Sequence, residues 1–165
     1  MFANSKTKNI AICALGAALY FVLSLTMKIP LIGNITVDAG YIALMVYCYL
    51  FGPWAGIVCG AIGCALESVL MSAYGFSIGW FVMNIIVAFF VGLIAKKNND
   101  ITQVIAIILL GVFLGVTAKT IIECYLYSIP LIVKLPKSAV AFVVDSIAMI
   151  VGYPIAQEIE NRVKI

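Results

Sequence analysis

Histidine is absent from the 165 residues, and Lys, Arg, Asp and Glu together supply only 10% of them. The first absence removes Ser/His/Asp nucleophilic triads and histidine metal sites from the possible functions. The second removes ordinary soluble domains, in which about a quarter of the residues are charged. Flexible linkers, low-complexity tracts and internal repeats are also missing, so nothing divides the chain and residues 1–165 read as a single transmembrane domain. What fills the sequence instead is apolar: 65% of residues are hydrophobic and the mean hydropathy is +1.19. An integral membrane protein follows, with the lipid bilayer as its solvent and no nucleic-acid partner. The five cysteines (Cys13, Cys48, Cys59, Cys64, Cys124) fall inside apolar segments without metal-ligand spacing and read as reduced packing thiols. No metal and no cofactor is expected.

A spanning helix needs about 20 mainly apolar residues, which leaves room for roughly six in a chain of this length. Pro, Gly, Asn and charge interrupt the apolar runs at "KIPLIGNITVD", "FGPW", "AYGFS", "KKNND" and "SIPLIVKLPK". The spans expected between them are 9–27, 38–51, 54–73, 77–95, 101–126 and 138–157, the second being short. The fold class is therefore all-α, an integral membrane six-helix bundle. With an even number of spans both termini share a side. That side holds Lys6, Lys8, Lys96, Lys97, Arg162 and Lys164, against Lys28, Lys134 and Lys137 opposite. The positive-inside rule places both termini in the cytoplasm.

This orientation gives each polar residue a depth. Glu67 falls near the outer end of span three, and Trp80 with Asn84 in the first turns of span four. Lys119 and Glu123 occupy the last turns of span five, and Asp145 lies about two turns inside the outer end of span six. Asp38 opens span two on the same side. Ionisable groups within a bilayer cost about 2.5 to 3.5 kcal/mol at a helix centre, so these residues should face the bundle interior or water. Tyr74, Phe76, Tyr125 and Tyr127 stand near the same rim, where aromatics commonly form an interfacial belt. Together these groups describe a small outward-facing pocket for a polar, flat molecule, with Glu67, Trp80, Asn84, Lys119, Glu123, Tyr127 and Asp145 as candidate ligand-binding residues. A plainer reading pairs Lys119 with Glu123, one helical turn away, as an internal staple.

Span three continues this logic. Gly56, Gly60, Gly63 and Glu67 recur along one face and form a seam on which another helix can pack closely. "GVFLGVTAKT" superficially suggests a phosphate loop, but no glycine directly precedes Lys119 and no strand precedes the segment. Without a carboxylate cluster on the cytoplasmic side either, an enzyme is not expected. With no nucleotide site and no repeat of the kind common in secondary transporters, the chain reads as a binding subunit energised by another protein.

Ala14xxxAla18 in the first span and "LFGPWAGIVCGAIGCALES" at the turn into the third complete a pattern. In size, span order and these motifs the whole chain resembles the substrate-binding S components of energy-coupling factor (ECF) transporters. The resemblance implies a multi-pass protein of a prokaryotic plasma membrane that captures a vitamin or related micronutrient from outside with high affinity. A membrane coupling subunit and two cytoplasmic ATPases would then drive release by toppling the S component in the bilayer. Ala14 and Ala18 match the alanine motif by which the first helix docks on the coupling subunit. The loop from Lys28 to Val37 would form a lid over a pocket made mainly by helices four to six.

The tryptophan-rich pocket expected for thiamine is not present. Three acids facing few cations favour a cationic ligand or one rich in N–H donors, because a carboxylate only accepts hydrogen bonds. A flat nitrogen heterocycle such as a pyrimidine, pyridoxine, a pterin or a deazapurine fits, and folate fits if Lys119, Lys134 or Lys137 meets its carboxylates. Two alternatives remain: a membrane scaffold or assembly protein with a structural ion pair, and a small stand-alone carrier. The carrier would need polar residues through the whole membrane thickness.

Overall fold

The computed structural model describes residues 5–27, 29–30, 36–71, 77–94 and 100–163. Six helices dominate: α1 (Ser5–Thr26), α2 (Gly40–Phe51), α3 (Pro53–Met71), α4 (Ile78–Ile94), α5 (Ile101–Tyr127) and α6 (Leu131–Val163). Between α1 and α2, β1 (Ile29–Pro30) and β2 (Thr36–Val37) form a two-residue antiparallel ladder that pairs Ile29 with Val37 and Pro30 with Thr36. Segments Thr7–Thr26, Pro53–Leu70, Ile101–Tyr127 and Leu131–Val163 are each long and apolar enough to cross a bilayer, and α2 and α4 are shorter and apolar.

Sequence chemistry explains most boundaries. Gly52 ends α2 at φ 83°, a left-handed conformation that favours glycine, and its N–H donates to the Cys48 carbonyl at 3.1 Å. Pro53 then opens α3, where a missing N–H costs nothing. Asp100 caps α5 by accepting the Thr102 N–H at 3.0 Å.

One boundary differs from the sequence reading. "SIPLIVKLPK" is mostly helix, and α6 begins at Leu131, earlier than the expected 138. Ser128, left-handed at φ 51°, closes α5, and the Pro130 carbonyl accepts the Val133 N–H at 3.0 Å, so the turn is complete within these few residues. Pro136 is absorbed inside the helix at the loss of one backbone bond. At about 1.5 Å per residue, the 33 residues of α6 rise roughly 50 Å, more than the bilayer's apolar thickness. The consequence for the site is direct: Lys134 and Lys137 are carried on a helix face instead of in a loop.

The short α2 is the centre of the bundle, in contact with α1, α3, α4 and α6. Tyr41, Leu44, Met45 and Cys48 are almost wholly buried, as an all-apolar helix requires. The glycine seam of α3 admits its neighbours. A Cβ at Gly63 would meet the Tyr20 ring of α1 at 2.6 Å, and one at Gly60 would meet Leu44 of α2 at 2.9 Å and Asn84 of α4 at 3.3 Å. Cys48, Cys59 and Cys64 are free thiols buried in the same core. On α1, Ala17 and Tyr20 turn inward, whereas Ala14 and Ala18 lie on the exposed face beside Ile10, Leu15 and Val22.

Candidate functional site

A cavity of about 310 Å³ opens at the end of the bundle where α5 turns into α6. The helical period decides which side chains reach it. On α5, Val116, Lys119 and Glu123 follow one another at intervals of three and four residues, so all face the same way. On α6, Lys134, Lys137, Ser138, Ala141 and Asp145 form a similar stripe. Asp38 and Tyr41, at the start of α2, and Trp80, in the first turn of α4, complete the wall.

Two contacts fix α5 against α6. Lys134 Nζ lies 2.5 Å from Glu123 Oε2, with the Glu123 side chain 8% and the Lys134 side chain 22% exposed. One turn deeper, Thr120 and Ser138 share a hydrogen bond at 2.6 Å. Glu123 also reaches α4: its Oε1 accepts from the Ser77 hydroxyl at 3.5 Å. Ser77 in turn caps α4, its Oγ accepting the Trp80 backbone N–H at 3.4 Å.

Trp80 is held on three sides. Its indole Nε1 donates to the Tyr41 hydroxyl at 3.1 Å. Its carbonyl accepts from Asn84 Nδ2 at 3.0 Å. The Lys119 ammonium stands 5.4 Å from its ring centroid, within cation–π range. Asp38 is tied into the turn before α2, where its Oδ1 accepts the Gly40 N–H at 2.7 Å.

Of the seven binding candidates from the sequence, the cavity brings together Trp80, Lys119, Glu123 and Asp145. Asn84 is fully buried behind Trp80, and its Oδ1 accepts from the Tyr20 hydroxyl at 3.4 Å, so it braces the wall. Glu67 is fully buried within α3 and is not part of the lining. Tyr127, about half exposed at the end of α5, points away, as does the more exposed Tyr125. Tyr74 and Phe76 lie outside the described residues, as does most of the segment from Lys28 to Val37. The Lys119–Glu123 pairing is corrected: Glu123 pairs with Lys134, and among the described residues Lys119 forms no ion pair. The premise of acids facing few cations also falls, because three lysines and three carboxylates share the lining.

Sequence reasoning missed Tyr41, Val116, Ser138 and Ala141 as wall residues. The signal was available for most of them. Val116 precedes Lys119 by one turn, and Ala141 and Ser138 precede Asp145 by one and two turns, which the helical period within the expected spans would have shown. Among the described residues no cluster of His, Cys, Asp and Glu is arranged to hold a metal.

A family model described as the ECF-type riboflavin transporter S component matches residues 4–160. The chain belongs to this family. Another S component shares the architecture: the crystal structure of the S component for biotin from an ECF-type ABC transporter superposes with a TM-score of 0.75 at 22% identity, covering 98% of this chain and 95% of that one. At that identity the likeness is one of fold. Among sequence relatives of this S component, a UPF0397 protein of Streptococcus thermophilus is 30% identical over 101 residues, 61% of this chain, and the match spans about half of that relative's length, 54%. A UPF0397 protein of Vibrio atlanticus is 25% identical over 98% of this chain and 95% of its own.

Proposed function

We propose that this S component is the high-affinity substrate-binding subunit of an ECF-type importer, taking up a small flat micronutrient in the cavity between α4, α5 and α6. The carrying observation is the concentration of charged and aromatic groups around one cavity at one end of an otherwise apolar bundle. Ionisable side chains are retained within a membrane domain where they serve a pathway or a site, and here they converge from α5 and α6 on one cavity, with Lys119 over the Trp80 ring. Beyond the level of Trp80, Asn84 and Glu67, the described core includes Leu44, Met45, Met83, Val87 and Val91, all fully buried, which supports a binding pocket over a conducting path.

The cavity end faces outward in this proposal, as the lysine and arginine distribution implies. The exposed Ala14 and Ala18 face of α1 is where a membrane coupling subunit, with its two ATPases, docks. Small side chains there permit close helix approach. The test of the binding role is mass spectrometry of small molecules released from protein purified out of its membrane, with melting measured across a panel of vitamins. A protein that releases nothing and shows no shift with any of them overturns the role.

One observation favours a second reading. The Glu123–Lys134 pair fastens α5 to α6, and a scaffold protein would need such a staple and no ligand. The same two measurements separate the readings.

A further inference from the structure

We infer, resting on the binding role proposed above, that the cavity selects a flat molecule bearing an ionised acidic group, a carboxylate or a phosphate, together with an N–H or O–H donor. The charges around the cavity are balanced in number but not in commitment. Glu123 and Lys134 neutralise each other at 2.5 Å. Asp38 is engaged by the Gly40 N–H. Lys119 and Lys137 face the cavity, and neither has a carboxylate partner among the described residues. Outside that pair the lining carries two ammonium ions, on Lys119 and Lys137, and two buried carboxylates, Asp38 and Asp145, of which Asp145 lies within electrostatic reach of Lys119.

Lys119 adds a directional argument. Its ammonium stands over the Trp80 ring, the largest flat surface in the wall. A cationic ligand seeking that ring finds a positive charge already there and a second one on Lys137. An anionic group does the reverse: it draws Lys119 off the indole through a charge-assisted hydrogen bond and uncovers the face on which the ligand's own ring then stacks. Asp145 accepts hydrogen bonds and rejects a second anion, so it meets the donor end of the molecule. The volume of about 310 Å³ lies at the small end of the range for ligand sites, roughly 300–1,000 Å³, which confines the class to small molecules.

The experiment uses the full chain in detergent. Molecules released from wild-type protein are identified by accurate mass and fragmentation, which distinguish carboxylate from phosphate. In parallel, melting is followed with nicotinate, nicotinamide and 1-methylnicotinamide, three flat probes that differ in charge. An anionic released molecule is expected, with nicotinate giving the largest shift of any probe that binds. Lys119→Gln and Lys137→Gln should each bind the returned molecule on the order of tenfold more weakly while melting normally without it, and Lys119→Arg should recover part of the loss. A released molecule without an ionised acid, or a largest shift with 1-methylnicotinamide, overturns the inference and leaves the binding role standing. Release of nothing together with no shift from any probe or vitamin overturns the binding role, and the inference with it.

Discussion

Glu123 on α5 is paired with Lys134 on α6 at 2.5 Å, although Lys119 stands one turn away from Glu123 on its own helix. The tight turn at Ser128 brings the start of α6 level with the end of α5, and Lys134 then meets Glu123 across the hairpin. Lys119 turns instead to the face of Trp80. A pair that local spacing offered is replaced by one that crosses between helices.

This relationship predicts strong coupling between the two residues. Glu123→Gln should lower stability by about 1 to 3 kcal/mol, because it leaves a partly buried ammonium without its charged acceptor. Lys134→Met combined with Glu123→Gln should cost less than the sum of the single changes. A double-mutant cycle on thermal or denaturant unfolding in detergent should give a coupling energy of about 0.5 to 3 kcal/mol. Strict additivity of the two changes would contradict the pairing.

Tyr41 positions Trp80 through the 3.1 Å bond from the indole nitrogen. Tyr41→Phe removes that acceptor, and the loss should be about 0.5 to 1.5 kcal/mol in stability. In a Trp54→Phe background, where Trp80 is the remaining tryptophan, its emission should shift in the Tyr41→Phe variant. An unchanged spectrum would show that the bond does not set the indole's environment.

The lysine and arginine distribution predicts that the cavity end faces outward. In a background lacking the five native cysteines, a cysteine replacing Ser128 should react with an impermeant thiol reagent added to intact cells. One replacing Glu158, near the far end of α6, should react only after the membrane is opened. Labelling with the opposite polarity would turn the cavity toward the cytoplasm and remove uptake from the functional reading.

The proposed docking through α1 predicts a separation of binding from transport. Ala14→Trp and Ala18→Trp place bulk on an exposed face outside the cavity lining, so isolated protein should bind the molecule it releases with unchanged affinity. Reconstituted with the coupling subunit and ATPases, both variants should lose ATP-dependent uptake, because close helix packing depends on small side chains there. Paired titration and vesicle uptake on the same preparations are the check. Full uptake by both variants would remove α1 as the docking surface.

Gly63 and Tyr20 supply a test of the packing that supports the site. A Cβ at Gly63 would meet the Tyr20 ring at 2.6 Å, and that ring is fully buried between α1 and α3. Gly63→Ala should therefore lower the melting temperature, at a cost of about 1 to 3 kcal/mol for an overpacked core. A variant as stable as wild type would show that α1 and α3 are less closely packed than described.

The sequence by itself determined the solvent, the six helices, and the gathering of Trp80, Lys119, Glu123 and Asp145 at one end. These follow from local properties: hydropathy along the chain, the 1.5 Å rise that converts residue number into depth, and the period that puts residues three and four apart on one face. Only the tertiary structure decided which of those depths opens onto a cavity and which charges are already spent. Glu67 and Asn84 lie at a similar level to Trp80 along the chain, yet the rotation of α3 and α4 against α1 and α2 turns both into the packed interior. Lys134 looked like a loop residue because Pro130 and Pro136 bracket it, and it became Glu123's partner because only Pro130 marks the turn. Helix rotation and inter-helix register are set by side-chain packing between segments distant in sequence, which no periodicity within one segment encodes.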